Sequence, residues 1–164
     1  MSADSPQEVV EAVRRGELLE ALRLLNRGTP YRFTGVYTFD YPFVKSVVLF
    51  DRESPNIEIG ADVVWNDAYC RMTTTNGQPL VVTDSLADDR LVDHPVRASL
   101  RFYCGIPLRT PDDKPLGTLC HYDLAPQALP DDAFKRLMSV RDVIAEAVWD
   151  RLKLRKAPAI GPAD

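Results

Sequence analysis

The side chains of this 164-residue chain best suited to nucleophilic or acid–base chemistry near neutral pH are three cysteines and two histidines: Cys70, Cys104, Cys120, His94 and His121. Two of them are adjacent, in "PLGTLCHYD", where Cys120 precedes His121. A thiol beside an imidazole suggests an activated nucleophile. In an extended strand, however, neighbouring side chains point to opposite faces, so these two cannot form a dyad with each other. In "RFYCGIPLR", Phe102, Cys104, Ile106 and Leu108 share one face. All are apolar, so Cys104 reads as a small core hydrophobe, and Cys120 likewise. Cys70 lies near the first turn of an expected short helix, where amide dipoles could lower a thiol pKa. It is the candidate nucleophile, although packing against a sheet is the simpler role for it. An odd number of well-spaced cysteines reads as reduced thiols. With no CxxC pair, no zinc site is expected. His94 reads as a solvated loop residue.

The surrounding pattern predicts the elements that hold these groups. "SPQE" at residues 5–8 has the form of a capping box with Pro6 at the first helical position. Val9, Val10 and Val13 follow at helical spacing. Gly16 bends or ends this helix, Leu18 to Leu25 resume the stripe, and Gly28 suits a helix stop. "YRFTGVYTFD" and "VKSVVLFDRE" read as an antiparallel hairpin, and "SPNIEIGADVVW" as irregular. Asn66 or Asp67 is placed to cap a short helix through "DAYCRMTT", ended by Asn76-Gly77. A short buried strand "QPLVVTD" and a polar loop "SLADDRLVDHPVRAS" precede the cysteine-bearing hairpin, whose "TPDDKP" link suits a turn. A long helix is predicted from about residue 131 to about residue 156. Its apolar stripe is wide enough to serve both its own sheet and a second surface.

The order is helix, helix, two strands, short helix, strand, loop, two strands, long helix. It gives an α+β fold around a mostly antiparallel sheet of five or six strands. Residues 1–16 read as an N-terminal helical extension, 17–156 as the domain, and 157–164 as a tail that frays. Hydrophobic residues make up 45% of the chain, enough for a packed core. The formal net charge of −4, without a basic and aromatic stripe, argues against nucleic acid. No apolar run approaches the roughly 20 residues that cross a bilayer. The N-terminus lacks the pattern of a secretory signal, so a cytoplasmic location is the default expectation.

The segments "YRFTGVYTFD", "VVLFDRE", "AYCRMTTTNGQPLVVTD", "FYCGIPLRT" and "PLGTLCHYD", in this order and spacing, resemble the GAF domain family. The likeness is greatest to GAF modules of bacterial sensor kinases and spans most of the chain. It implies a six-stranded antiparallel sheet, terminal helices on one face, and a ligand pocket under short helices and loops on the other. It also implies dimerisation through the terminal helices. Family members bind varied small molecules, so the resemblance leaves the cofactor unknown. One branch, the free methionine-(R)-sulfoxide reductases, works through cysteines, and Cys70 falls near one of theirs. The loop "SLADDRLVDHPVRAS" and the stretch "EIGADVVWNDAY" lack the others. Cys104 and Cys120 lie in strands where exchange with Cys70 looks geometrically poor. Bilin attachment is disfavoured because "LVDHPVRAS" supplies His94 without a cysteine.

Gly105 and Gly117 in the hairpin mark a close approach by another group. If both face the pocket, period 2 puts Tyr103, Leu119 and His121 beside them, with Asp123 at the strand end. Phe33, Gly35 and Tyr37 join from the first strand, and Trp65, Tyr69 and Met72 form the lid. The candidate ligand-binding residues are therefore Tyr37, Trp65, Tyr69, Tyr103, Leu119, His121 and Asp123, with Cys70 the alternative catalytic residue. Such a cavity suits a small planar or apolar ligand. The competing reading is that these aromatics complete a second core, with Asp84 and Asp123 only capping loops. The expectation is a small-molecule-binding sensory domain acting through a homodimer or a signalling protein. The alternatives are a thiol enzyme and a structural dimerisation module with a filled pocket.

Overall fold

In the computed structural model, described here over residues 5–156, the apolar spacing of the termini becomes three helices. They are α1 (Pro6–Arg14), α2 (Leu18–Asn26) and α3 (Asp131–Lys156). Gly16 and Gly28 adopt positive φ, 79° and 82°, and end α1 and α2 with a backbone that L side chains resist. The expected capping box is not formed by Ser5: its side chain makes no cap hydrogen bond, and the Glu8 amide bonds the Ser5 carbonyl instead, at 3.1 Å. The tail expected at 157–164 lies outside the described residues.

Six strands form one sheet: β1 (Phe33–Asp40), β2 (Phe43–Asp51), β3 (Val63–Val64), β4 (Leu80–Val82), β5 (Phe102–Arg109) and β6 (Pro115–Asp123). The spatial order is β3-β2-β1-β6-β5-β4, and every neighbouring pair is antiparallel. The long central strands are the β-branched and aromatic runs of the sequence, joined by tight hairpins. The expected short helix at "DAYCRMTT" is instead two 3₁₀ turns, Trp65–Asp67 and Cys70–Thr74, without side-chain caps. Gly77, at φ 68°, closes this segment as expected.

The helices cover one face of the sheet. Val9, Ala12, Leu22, Leu25, Leu137, Val140, Ile144 and Val148 pack there on Val36, Phe102, Cys104, Ile106, Leu108 and Leu119. Thus α1 is part of the main core. A buried polar chain fixes α2 to the sheet. Asn26 donates through Nδ2 to the Tyr31 carbonyl and to Thr34 Oγ1, both at 2.9 Å. Its Oδ1 accepts from Arg52 Nε at 3.0 Å and Nη2 at 2.7 Å. From α3, Arg136 Nη2 reaches the Leu24 and Leu25 carbonyls of α2, at 3.0 and 3.3 Å.

Residues 65–100 cross the opposite face as a lid. They contain β4 and otherwise only 3₁₀ turns and loops. The lid cluster is smaller and more aromatic: Tyr37, Tyr69 and Tyr103 with Cys70, Leu91 and Cys120, bordered by Trp65, Met72 and Tyr122.

Candidate functional site

Strand register decides which candidate residues meet. Across β5 and β6, Gly105 pairs with Cys120 and Cys104 with His121. Cross-strand partners share a face. Cys120 therefore joins Tyr103 and Gly105 on the lid side, while His121 and Leu119 face the helices. This corrects the expectation that Leu119 and His121 line the same face as Tyr103. The separation of Cys120 from His121 stands.

His121 is 1% exposed and belongs to the helix-side polar chain. Its Nδ1 lies 2.7 Å from Thr34 Oγ1. Because that hydroxyl already accepts from Asn26, its own hydrogen goes to Nδ1, and the ring is neutral with its proton on Nε2. Burial pushes its pKa down to about 3, and Arg136 and Arg52 push the same way. Its cross-strand thiol is Cys104, at 0% exposure. Asp123 is likewise committed. Its carboxylate accepts from the Arg32 amide at 3.1 Å, the Ala125 amide at 3.2 Å and Gln127 Nε2 at 3.3 Å. It secures the end of β6. Asp84 caps the 3₁₀ turn Ser85–Ala87 through the Leu86 amide at 3.1 Å, and pairs with Arg101 at 2.8 Å.

On the lid side, Tyr37, Tyr69 and Tyr103 do come together. Tyr103 and Tyr69 meet edge to face at 5.8 Å. Tyr37 Oη lies 2.6 Å from Tyr122 Oη, and Tyr69 Oη donates to the Leu100 carbonyl at 2.8 Å. Tyr103 Oη reaches Thr118 Oγ1 only at 3.5 Å. Burial raises the pKa of all four phenols, so they remain neutral donors. Trp65 lies to one side, edge-on to Phe39 at 5.4 Å and to Tyr41 at 5.8 Å.

The space under the lid is occupied by the chain itself. The group approaching Gly105 is the Tyr103 ring, against which any Cβ at 105 would collide. At Gly117 it is the Tyr37 carbonyl of the neighbouring strand. Both glycines therefore serve internal packing.

Cys70 and Cys120 are drawn into one buried cluster around the Thr118 hydroxyl and Tyr103, closer together than the sequence implied. Burial dominates their chemistry. It pushes the Cys70 thiol up to about 11 and Cys120 well above the ordinary thiol value, while Cys104 rises to about 12. The helix-start argument for a reactive Cys70 fails because the segment is a 3₁₀ turn whose thiol points inward.

His94, expected in solvent, is 9% exposed and edge-on to Tyr69 at 4.5 Å. Together with Arg71 it borders a cleft of about 580 Å³ between the Cys70–Thr74 turn, the start of β4, and loop 89–95. Neither residue was picked out as a binding residue. The signal was faint: one arginine and one histidine in two separate loops. A larger groove of about 800 Å³, bordered by Arg109, Arg141, Glu146, Trp149 and Lys153, lies along α3 and reaches the lid at Gly77. Among the described residues, no group of three or more His, Cys, Asp or Glu side chains is placed to hold a metal ion, and no helix is long and apolar enough to cross a membrane.

This arrangement of a central antiparallel sheet, helices behind it and a lid in front matches the family model of the GAF domain over residues 12–148. The chain belongs to the GAF domain family. Its fold is that of solved GAF proteins at low sequence identity. The GAF domain of an Acinetobacter phosphoenolpyruvate-protein phosphotransferase is 11% identical with a TM-score of 0.71, covering 97% of this chain and 95% of that one. A phycocyanobilin-bound GAF domain from a cyanobacterial phytochrome is 12% identical with a TM-score of 0.68, covering 96% and 100%. Type II free methionine-R-sulfoxide reductase from Thermoplasma acidophilum is 18% identical with a TM-score of 0.61, covering 87% and 96%. No curated protein sequence matches the chain.

Proposed function

We propose that this GAF domain is a small-molecule-binding sensory module of the cytoplasm that acts in signalling through a homodimer or a partner protein. The observation that carries this reading is the contrast between a rigid tyrosine-walled sheet face and the lid over it, which is made of 3₁₀ turns and one three-residue strand. Short 3₁₀ segments make few internal hydrogen bonds and rearrange at low cost. A ligand that binds one lid position better than the other would shift the population between them. GAF proteins of the same fold include a phycocyanobilin-bound domain and a reductase in complex with its substrate, so the scaffold accommodates small molecules.

Half-buried Phe134, Met138, Val143, Trp149 and Leu152 leave α3 an apolar surface suited to a second copy of the chain. Thiol catalysis at Cys70 is disfavoured by burial and by a pKa raised to about 11.

The test is native mass spectrometry of protein purified from its own host, followed by thermal-shift screening of metabolites. A retained or stabilising small molecule is the expected result, because a ligand that prefers the folded state raises the melting temperature by mass action. A protein that retains nothing and responds to nothing is a structural module. Light scattering after size exclusion should show a dimer; a monomer at high concentration would remove transmission through α3.

A further inference from the structure

Large apolar side chains form a strip beside the last turns of α3. A groove of about 380 Å³ is bordered by Phe39, Pro115, Leu116, Trp149 and Leu152. The one charged residue on its border, Lys153, pairs with Asp150 at 3.3 Å. From Phe39 the strip continues edge to face to Trp65, at 5.4 Å, and from Trp65 to Tyr41, at 5.8 Å. Tyr41 is 77% exposed. A contiguous apolar surface of this kind marks a place where something docks.

Position and chemistry select the chain's own C-terminal segment as the occupant. Residues 157–164, "APAIGPAD", follow directly on Lys156, the last residue of α3. Residues 157–163 carry no charge, which matches a neutral strip. Pro158 cannot continue a helix and disfavours helical backbone at Ala157. Proline-containing segments favour an extended backbone and dock on aromatic grooves at little conformational cost. The reach is sufficient. Leu152, on the border of the groove, precedes Lys156 by about one helical turn, or about 6 Å. The four residues from Lys156 to Ile160 span up to about 13 Å when extended. A tether this short also gives the segment an effective concentration on the order of millimolar, so a contact too weak to hold a separate peptide is populated. We propose that residues 157–164 fold back along this strip, with Ile160 in the groove between Phe39, Trp149 and Leu152, and Pro162 towards the Trp65–Tyr41 pair. The proposal is independent of any ligand beneath the lid. It leaves Phe134, Met138 and Val143 of α3 to a second copy of the chain.

The chain has two tryptophans, Trp65 and Trp149, and both lie on the strip, so their indole N–H signals report on its occupant. The three native cysteines are buried, so a brief reaction places a nitroxide selectively on Ala163→Cys in the full chain. The label should broaden both indole signals strongly, and reduction of the nitroxide should restore them. Ile160→Asp, made in the labelled chain, keeps the tether and removes the anchor. Loss of a buried isoleucine should lower the ratio of docked to free tail about tenfold or more, and most of the broadening with it. Unchanged far-ultraviolet circular dichroism certifies the fold of each variant. Indole signals that the label leaves sharp overturn the proposal. So does broadening that survives Ile160→Asp, because proximity then reflects the tether alone. Equal broadening of unlabelled nitrogen-15 protein by added labelled nitrogen-14 protein assigns the strip to the tail of a second copy and also overturns it.

Discussion

The two faces of the sheet are built by different rules. The helix face is aliphatic and closed by three helices, and a buried chain of polar groups runs from Arg52 through Asn26 and Thr34 to His121. The lid face is aromatic and closed by short turns. Its polar groups are less completely matched: Tyr103 reaches Thr118 only at 3.5 Å, and Arg71 Nε, Arg97 Nε and Arg101 Nε lie buried without a hydrogen bond. Fully satisfied polar networks rigidify a core, whereas incompletely satisfied ones mark places where structure was kept for another purpose. Stability should therefore reside on the helix face and adaptability on the lid face.

The largest expected difference comes from truncating the helix-side core. Ile144 is fully buried, and Ile144→Ala should cost about 2–5 kcal/mol in denaturant unfolding. A cost below that of lid-side truncations would break the contrast. Next in size is a pH effect confined to the helix face. His121 has a folded pKa near 3, against about 6.5 when unfolded. The unfolded chain takes up its proton first, so stability is complete above about pH 6.5 and falls as the pH drops. The slope is about 1.4 kcal/mol per pH unit, or about 3 kcal/mol by about pH 4.5. His94 contributes in the same direction, since burial also lowers its pKa. Subtracting the profile of His121→Asn isolates His121; identical profiles would mean that the buried imidazole is hydrated or charged.

A smaller effect separates the thiols. Cys70 sits in the lid and Cys104 in a central strand, so disulfide-exchange reagents should label Cys70 at least about tenfold faster, corresponding to about 1.4 kcal/mol less opening free energy. Equal rates would show that the lid opens only when the whole domain unfolds. The smallest change is Tyr69→Phe, which removes the bond to the Leu100 carbonyl at a cost of about 1 kcal/mol. Its effect should appear as faster Cys70 labelling more than as lower global stability.

The sequence made the architecture legible because its signals were local and repeated: the leucine and valine spacing of the helices, the glycines at 16, 28 and 77, and the aromatic strands. Alternation along β6 separated Cys120 from His121 correctly. What alternation could not supply was the phase between strands. The parity of Tyr103 was carried to Leu119 through Gly117, but a register irregularity at Leu108/Arg109 intervenes, and the true partner of Gly105 is Cys120. A shift of one residue exchanges the faces. The lid was harder still, because its 3₁₀ turns have no periodic signature, and the burial of His94 depends on contact with Tyr69. Asp123 looked like a ligand handle because nothing in the sequence announces that the Arg32 amide will claim it.

The reach of Arg136 from α3 to the last carbonyls of α2 works as a mechanical coupling. A screw motion of α3 by one turn would have to break these bonds or drag the end of α2 along. Through Asn26, that end is anchored to the hydroxyl that holds His121. Helices α2 and α3 thus behave as one lever with its fulcrum at the sheet, and a torque applied to either would be felt at both.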